Sequence, residues 1–197
     1  MTPTDVETAR IVVGDKTFVP LISEEKVRQR VRELAQAISR DYAGRDPLLV
    51  CVLNGAFLFF ADLVRAMEIE HTQDFLRPAS YGNGMESSGT VVLRKDLESD
   101  ICGRHVILVE DIVDTGRTLD HLKRMLLERA PASLAIASLL YKPSQAVIEH
   151  ALEYVGFEIP PAFVIGYGLD YGQRARHLPA IYTRAPENGA GATTESA

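Results

Sequence analysis

The chain has 197 residues, 46% of them hydrophobic and 24% charged, with a net charge of −6 and a pI near 5.4. That hydrophobic share supports a buried core and excludes wholesale disorder. The acidic balance argues against broad binding to nucleic acid, which needs a basic face, yet leaves room for a small basic pocket holding phosphates.

The length suits one α/β domain, expected over residues 1–186, followed by a disordered Gly, Ala, Thr and Ser tail over 187–197. No apolar stretch approaches the roughly 20 residues that span a bilayer, so no membrane partner is expected. Met1–Arg10 is polar, without the basic and then hydrophobic pattern of a signal. Cys51 lies in an apolar run and reads as a buried structural thiol, and neither it nor Cys102 has a metal-ligand spacing partner. A reduced, cytoplasmic protein is the expectation.

The elements follow in order. Ser23 is a helix cap with Glu24 and Glu25 in the first turn, and Val27, Val31, Leu34 and Ile38 then recur at helical spacing. Gly44 and Pro47 end that helix. Leu48–Leu53 is a continuous apolar run, as in a strand covered on both faces, and Asn54-Gly55 breaks it. A helix is expected over Ala56–Met67 and a strand over Thr72–Leu76. Arg77–Gly89 has no periodicity and is rich in Gly and Ser, which marks a long loop, either a functional lid or a disordered segment. Thr90–Leu93 reads as the returning strand of a β-flap. Further strands are expected at Val106–Val109, Leu134–Leu140, Phe163–Ile165 and Ile181-Tyr182, with a helix over Thr118–Arg129. Strands alternating with helices predict a mostly parallel sheet whose ligands sit at the carboxyl ends of its strands. That rule selects Asn54-Gly55, Glu110–Thr118 and Tyr141-Lys142.

The run Val109-Glu110-Asp111-Ile112-Val113-Asp114-Thr115-Gly116-Arg117-Thr118 carries the chemistry. Its acids stand at the end of a buried strand and its last residues open a helix. Free amides at a helix start favour an anion, threonine hydroxyls add donors, and Gly116 lets the backbone approach a phosphate. Adjacent carboxylates accept from a vicinal diol. A phosphate site beside a diol site describes ribose 5-phosphate. A Walker loop is excluded, because Asp111 stands where its first glycine belongs and Arg117 replaces its lysine. The dinucleotide fingerprint fails on spacing at Gly166-Tyr167-Gly168. The plain alternative is that Asp114 and Thr115 only cap a helix.

The string resembles the phosphoribosyl-pyrophosphate motif of type I phosphoribosyltransferases. From about Val12 to about Ile181 the chain resembles their hypoxanthine (hypoxanthine-guanine) branch. The likeness rests on Leu53-Asn54-Gly55 with Phe59-Phe60-Ala61-Asp62-Leu63, on Ser80-Tyr81-Gly82, and on Leu139-Leu140-Tyr141-Lys142-Pro143. It rests also on Val155 through Pro160, Phe163 through Tyr167, and Leu169-Asp170-Tyr171. The resemblance implies a twisted, mostly parallel sheet flanked by helices, with a small hood and a β-flap lid. It implies transfer of the 5-phosphoribosyl group from 5-phosphoribosyl-1-pyrophosphate to N9 of hypoxanthine or guanine.

By that resemblance Asp114 is the general base or acid at purine N7. Glu110 and Asp111 hold the ribose hydroxyls, directly or through metal, and Thr115, Gly116, Arg117 and Thr118 cradle the 5-phosphate. Leu53, Asn54 and Gly55 offer backbone donors to pyrophosphate across a peptide that is often cis in the family, aided by Ser80 and Tyr81 in the lid and by Arg176. Lys142 donates to purine O6, Phe163 stacks on the ring, and Val164 and Asp170 offer carbonyls to its edge. Asp170 binds Mg2+ shared with pyrophosphate. Many members carry Lys or Arg at the position of Asn54, so a side-chain salt bridge to pyrophosphate is not expected here. A homo-oligomer, dimer or tetramer, is also implied. The alternatives are a regulatory protein that senses the sugar pyrophosphate and binds RNA or DNA, and the same enzyme with xanthine preference.

Overall fold

Residues 10–79, 92–148 and 151–186 are described by the structure, a computed structural model. The expected lid residues Ser80 and Tyr81, the start of the Thr90–Leu93 strand and the 187–197 tail lie outside them.

The described residues open with two antiparallel strands that hydrophobic pattern did not announce, β1 (Ile11–Val13) and β2 (Lys16–Ile22). β1 is too short to show a period, and β2 carries Pro20, which argues against an interior strand. The ladder accommodates the proline with a register shift where β2 meets the last strand, between Ile181 and Tyr182.

Helix α1 (Glu24–Asp41) starts where the Ser23 hydroxyl accepts the Lys26 amide at 3.3 Å. Its stripe of Val27, Val31, Leu34 and Ile38 is buried as expected. β3 (Leu48–Val52) is buried along its whole length, and α2 (Phe57–Ala66) buries Phe59, Phe60 and Leu63. β4 (Thr72–Pro78) runs two residues past its predicted end to pair with β5 (Leu93–Lys95), the pair forming the base of the expected β-flap. Among the described residues the returning strand runs over Leu93–Lys95.

β6 (His105–Val113) is longer than its apolar core. It continues through Glu110 and Asp111, so both acids belong to the strand and not to the loop after it. α3 (Arg117–Leu127) follows, then β7 (Ser133–Tyr141) and β8 (Tyr154–Glu158). β8 was missed because Gly156 interrupts it. Any side chain at Gly156 would overlap the Leu139 carbonyl, so close packing on β7 requires the glycine. β9 (Val164–Ile165) was expected to continue the main sheet. Instead it joins β10 (Ile181–Arg184), β2 and β1 in a separate antiparallel sheet, the hood, and β8 takes the edge place beside β7.

The main sheet has the order β5-β4-β3-β6-β7-β8, parallel except for β5. Strand periodicity divides the core between its faces. Leu49, Cys51, Ile107, Val109, Ala135 and Ala137 pack under α1 and α2. Leu48, Val50, Val106, Leu108 and Ile136 pack with Leu119, Leu122 and Leu126 of α3. From β3 the chain moves outward to β4 on one side, then returns to β6 on the other. The order thus switches between β3 and β6, where a crevice opens at the carboxyl ends of both strands.

Candidate active site

Three segments meet at this switch point. After β3, the Leu53–Asn54 peptide is cis, as the resemblance implied, and Asn54 is exposed. Gly55 faces Asp111 so closely that any side chain there would overlap the Asp111 carboxylate. From the hood side, Gly168 (φ +101) presses on the Gly55 carbonyl and leaves no space for a Cβ. The order of approach is therefore Asp111, Gly55, Gly168, with two glycines serving as thin contacts. Gly168 was not singled out from sequence.

The acids are under electrostatic load. Burial, then the neighbouring Asp111, raises the Glu110 carboxyl well above its ordinary range. Asp111 is pushed up to about 6, by burial first, with Asp170 adding to the shift. The amide of Ile112, donating to Asp111 Oδ1 at 2.9 Å, and the charge of Arg176 oppose it. Such a site favours a cation or diol donors that compensate the buried charge.

The loop after β6 differs from the simple capping alternative. The N-cap of α3 is Gly116, at φ +81, with no side-chain cap bond. Asp114 is thus not used for capping. Its Oδ2 accepts from Lys142 Nζ at 2.8 Å. Strand register explains the meeting: Val113 pairs with Tyr141, and the Lys142 amide donates to the Val113 carbonyl at 3.0 Å. Lys142 is buried and Asp114 about half exposed, so the pair points a fixed ammonium and an accessible carboxylate into one crevice. Thr115, Arg117 and Thr118 are exposed around the first turn of α3, whose amides lack intrahelical acceptors. Segment 146–148 closes over this loop, with the Val147 amide bonded to the Thr115 carbonyl and Ile148 against Gly116. Nothing in its composition marked it as part of the site.

The third segment, 166–176, is held by side chains. Asp170 Oδ1 pairs with Arg176 Nη2 at 2.6 Å, and Asp170 Oδ2 accepts the Gln173 amide at 2.8 Å. Arg176 also donates to the Gly168 carbonyl at 2.7 Å and to Gln173 Oε1 at 3.3 Å. The arginine expected to meet pyrophosphate is therefore a brace within its own loop. Tyr171 donates to Asp15 at the β1–β2 turn, 2.8 Å away. Phe163 is 51% exposed, its ring near those of Phe18 and Tyr171. Val164 is buried in β9. Among the described residues no three His, Cys, Asp or Glu side chains gather as a metal site. Glu110, Asp111 and Asp170 thus do not form a closed protein cage. They fit Mg2+, which takes one or two carboxylates and completes its shell with phosphate oxygens and water.

Residues 22–172 match the family model described as a phosphoribosyl transferase domain. The chain is 45% identical over 167 residues to a hypoxanthine phosphoribosyltransferase of Escherichia coli, across 84% of this chain and 94% of that protein. A solved hypoxanthine-guanine phosphoribosyltransferase from Bacillus anthracis superposes with a TM-score of 0.79 at 43% identity, covering 83% of this chain and 96% of the other. A hypoxanthine phosphoribosyltransferase from Staphylococcus aureus gives 0.81 at 38% identity, covering 87% and 94%.

Proposed function

We propose, on the footing that the chain belongs to the phosphoribosyl transferase family in its hypoxanthine and hypoxanthine-guanine branch, how its residues join a 6-oxopurine to ribose 5-phosphate in purine salvage. The observation that carries the reading is the Lys142–Asp114 pair, 2.8 Å apart beside the phosphate loop. A 6-oxopurine carries O6 and N7 on one edge. Lys142 Nζ donates to O6, and Asp114 accepts the N7 proton. Adenine would turn an amino group toward the ammonium and leave both without an acceptor, which supplies the selectivity.

Purine N9 forms the bond to C1 of the ribose as the C1–oxygen bond breaks, and its electron pair leaves with pyrophosphate. The proton from N7 passes to the Asp114 carboxylate. The amides and hydroxyls of Thr115 through Thr118, with Arg117, fix the 5-phosphate and so place C1. Glu110 and Asp111 accept the ribose hydroxyls. The Leu53 amide is held by the Leu76 carbonyl at 2.8 Å, so the backbone amides of Asn54 and Gly55 donate to pyrophosphate, with Arg176 turning from its brace toward the same charge. Exposed Phe163 stacks on the purine, while the carbonyls of Val164 and Asp170 meet its edge. Bound with the sugar pyrophosphate, Mg2+ would neutralise the leaving charge, and Asp170, Asp111 and Glu110 would be the carboxylates that hold it.

The partners are these small molecules. No described helix is long and apolar enough to cross a membrane. Assembly as a homodimer or homotetramer in the cytoplasm belongs to the proposal and is checked by light scattering and fractionation. The deciding experiment incubates the protein with Mg2+, 5-phosphoribosyl-1-pyrophosphate and, separately, hypoxanthine, guanine, xanthine, adenine and uracil. Nucleotide should form with hypoxanthine and with guanine. No product with any oxopurine would refute the reading, and product with xanthine alone would correct the specificity.

A further inference from the structure

Tyr167 stands where its residue type is costly. Gly166 and Leu169 exchange both backbone hydrogen bonds, at 3.0 and 3.1 Å, closing a two-residue turn on Tyr167 and Gly168. Both turn residues have positive φ, +48° and +101°. That is the pattern of a type I′ turn, which favours Asn or Gly at its first position. For a residue with a side chain, left-handed backbone costs about 1–2 kcal/mol.

The side chain supplies the compensation. The Tyr167 ring is buried in the core shared by α1 and α2, and its hydroxyl donates to Asp62 Oδ2 on α2 at 2.6 Å, across 105 residues of sequence. The turn so fixed presses Gly168 on the Gly55 carbonyl, and Asp170 follows two residues later. The far end of the Tyr167 bond is Asp62, in the second half of α2, the helix that follows Leu53-Asn54-Gly55.

We propose that Tyr167 and Asp62 are positioning residues for the leaving-group side of the site. Their hydrogen bond ties the turn that precedes Asp170 to the helix that follows the backbone donors, and so holds one spacing between them. Neither residue touches substrate. The inference rests on the assignment of pyrophosphate and its cation to this side of the crevice.

The test is Tyr167→Phe, which removes one hydroxyl and keeps the ring. KM for the sugar pyrophosphate should rise about tenfold, the order that a hydrogen bond to a charged acceptor contributes. The Mg2+ concentration for half-maximal activity should rise with it, while kcat and KM for hypoxanthine change by less than about twofold. Asp62→Ala should reproduce the effect, and the double variant should be no worse than either single one. Asp62→Asn, which keeps an acceptor for the phenol, should restore near-parental KM. A purely structural role would lower the unfolding temperature and leave KM alone, which overturns the inference. So does an Asp62→Asn variant as impaired as Asp62→Ala. If the unmodified protein turns over no oxopurine, the proposed function fails separately. Calorimetric binding of the Mg2+ sugar pyrophosphate to the same variants then decides this inference by the same ratios.

Discussion

Segments 110–118 and 166–176 face each other near Asp111, and different bonds hold them. The first is the end of a parallel strand and the start of a helix. Its shape comes from the β6–β7 ladder, which brings Lys142 beside Asp114 by register alone. The second contains no strand or helix. It is two consecutive two-residue turns, closed at Gly166–Leu169 and Tyr171–Arg174, with Asp170 between them. Side chains pin it: Tyr167 to α2, Tyr171 to the hood, Arg176 back to Asp170 and Gly168. A site side built on the ladder can give up a chemical group and keep its form. One built from remote hydrogen bonds loses form when one contact is lost.

The largest effect should therefore be purely chemical and fall on the first segment. Asp114→Asn keeps an oxygen for Lys142 and removes the base. We expect kcat to drop about 10²–10⁴-fold, the usual contribution of a positioned acid or base, with sugar-pyrophosphate affinity nearly unchanged. Single-turnover kinetics with a parallel binding isotherm checks this. Unchanged turnover would take Asp114 out of proton transfer.

A pair of glycine substitutions compares the two segments directly. Gly116 and Gly168 both have positive φ, so alanine at either costs about 1–2 kcal/mol in the backbone alone. Their obstacles differ. At Gly116 the new carbon meets a methyl of Ile148, which can move; at Gly168 it meets the Gly55 carbonyl, which cannot. Gly168→Ala should lose about 3 kcal/mol or more and Gly116→Ala roughly half of that. Urea unfolding measures both. Equal losses would mean that the second segment is not pressed against the Gly55 carbonyl.

The same contrast explains what the sequence revealed. α1, β3 and the phosphate loop were legible because local patterns govern them: a cap, an apolar run, a string that changes from apolar to charged. The acids' place inside β6 was not, since an apolar run of four, Val106–Val109, gives no sign that its ladder continues through Glu110 and Asp111. β8 and the first two hood strands were hidden by Gly156, by Pro20 and by the shortness of β1, features required by packing or bulge geometry. The turn around Asp170 was the least legible. Its glycines were visible, but the partners of Tyr167 and Tyr171 lie 105 and 156 residues away, a relation no local window contains.

Lys142→Ala gives a smaller effect. Its removal leaves Asp114 part-solvated, so the fold should persist. KM for hypoxanthine should rise about tenfold or somewhat more, as for one charge-assisted hydrogen bond, and discrimination against adenine should fall. KM for the sugar pyrophosphate should stay put. Competition between hypoxanthine and adenine for one enzyme preparation reads both. Unaltered selectivity would detach Lys142 from O6.

The smallest prediction concerns the strain that the first segment carries without ligand. Asp111 has its carboxyl pushed up to about 6, chiefly by burial, so the folded state binds a proton more tightly than the unfolded chain. Stability linked to that proton is complete below about pH 4 and is lost as pH rises through about 6. Above that, the ligand-free protein holds a poorly solvated charge beside Glu110. Asp111→Asn removes the charge, keeps an acceptor for the Ile112 amide and changes little in shape against Gly55. Without metal or substrate it should be about 1 kcal/mol more stable than the parent at pH 7.5, discounted for the partial exposure of Asp111, and no more stable at pH 4. Urea unfolding at both pH values supplies the difference, in which titrations elsewhere in the chain cancel. A variant less stable than the parent at pH 7.5 would show that the carboxylate is satisfied in the free protein. A gain confined to pH 7.5 would show that β6 holds it at the crevice against its own preference, ready for the ribose hydroxyls or the cation that relieve it.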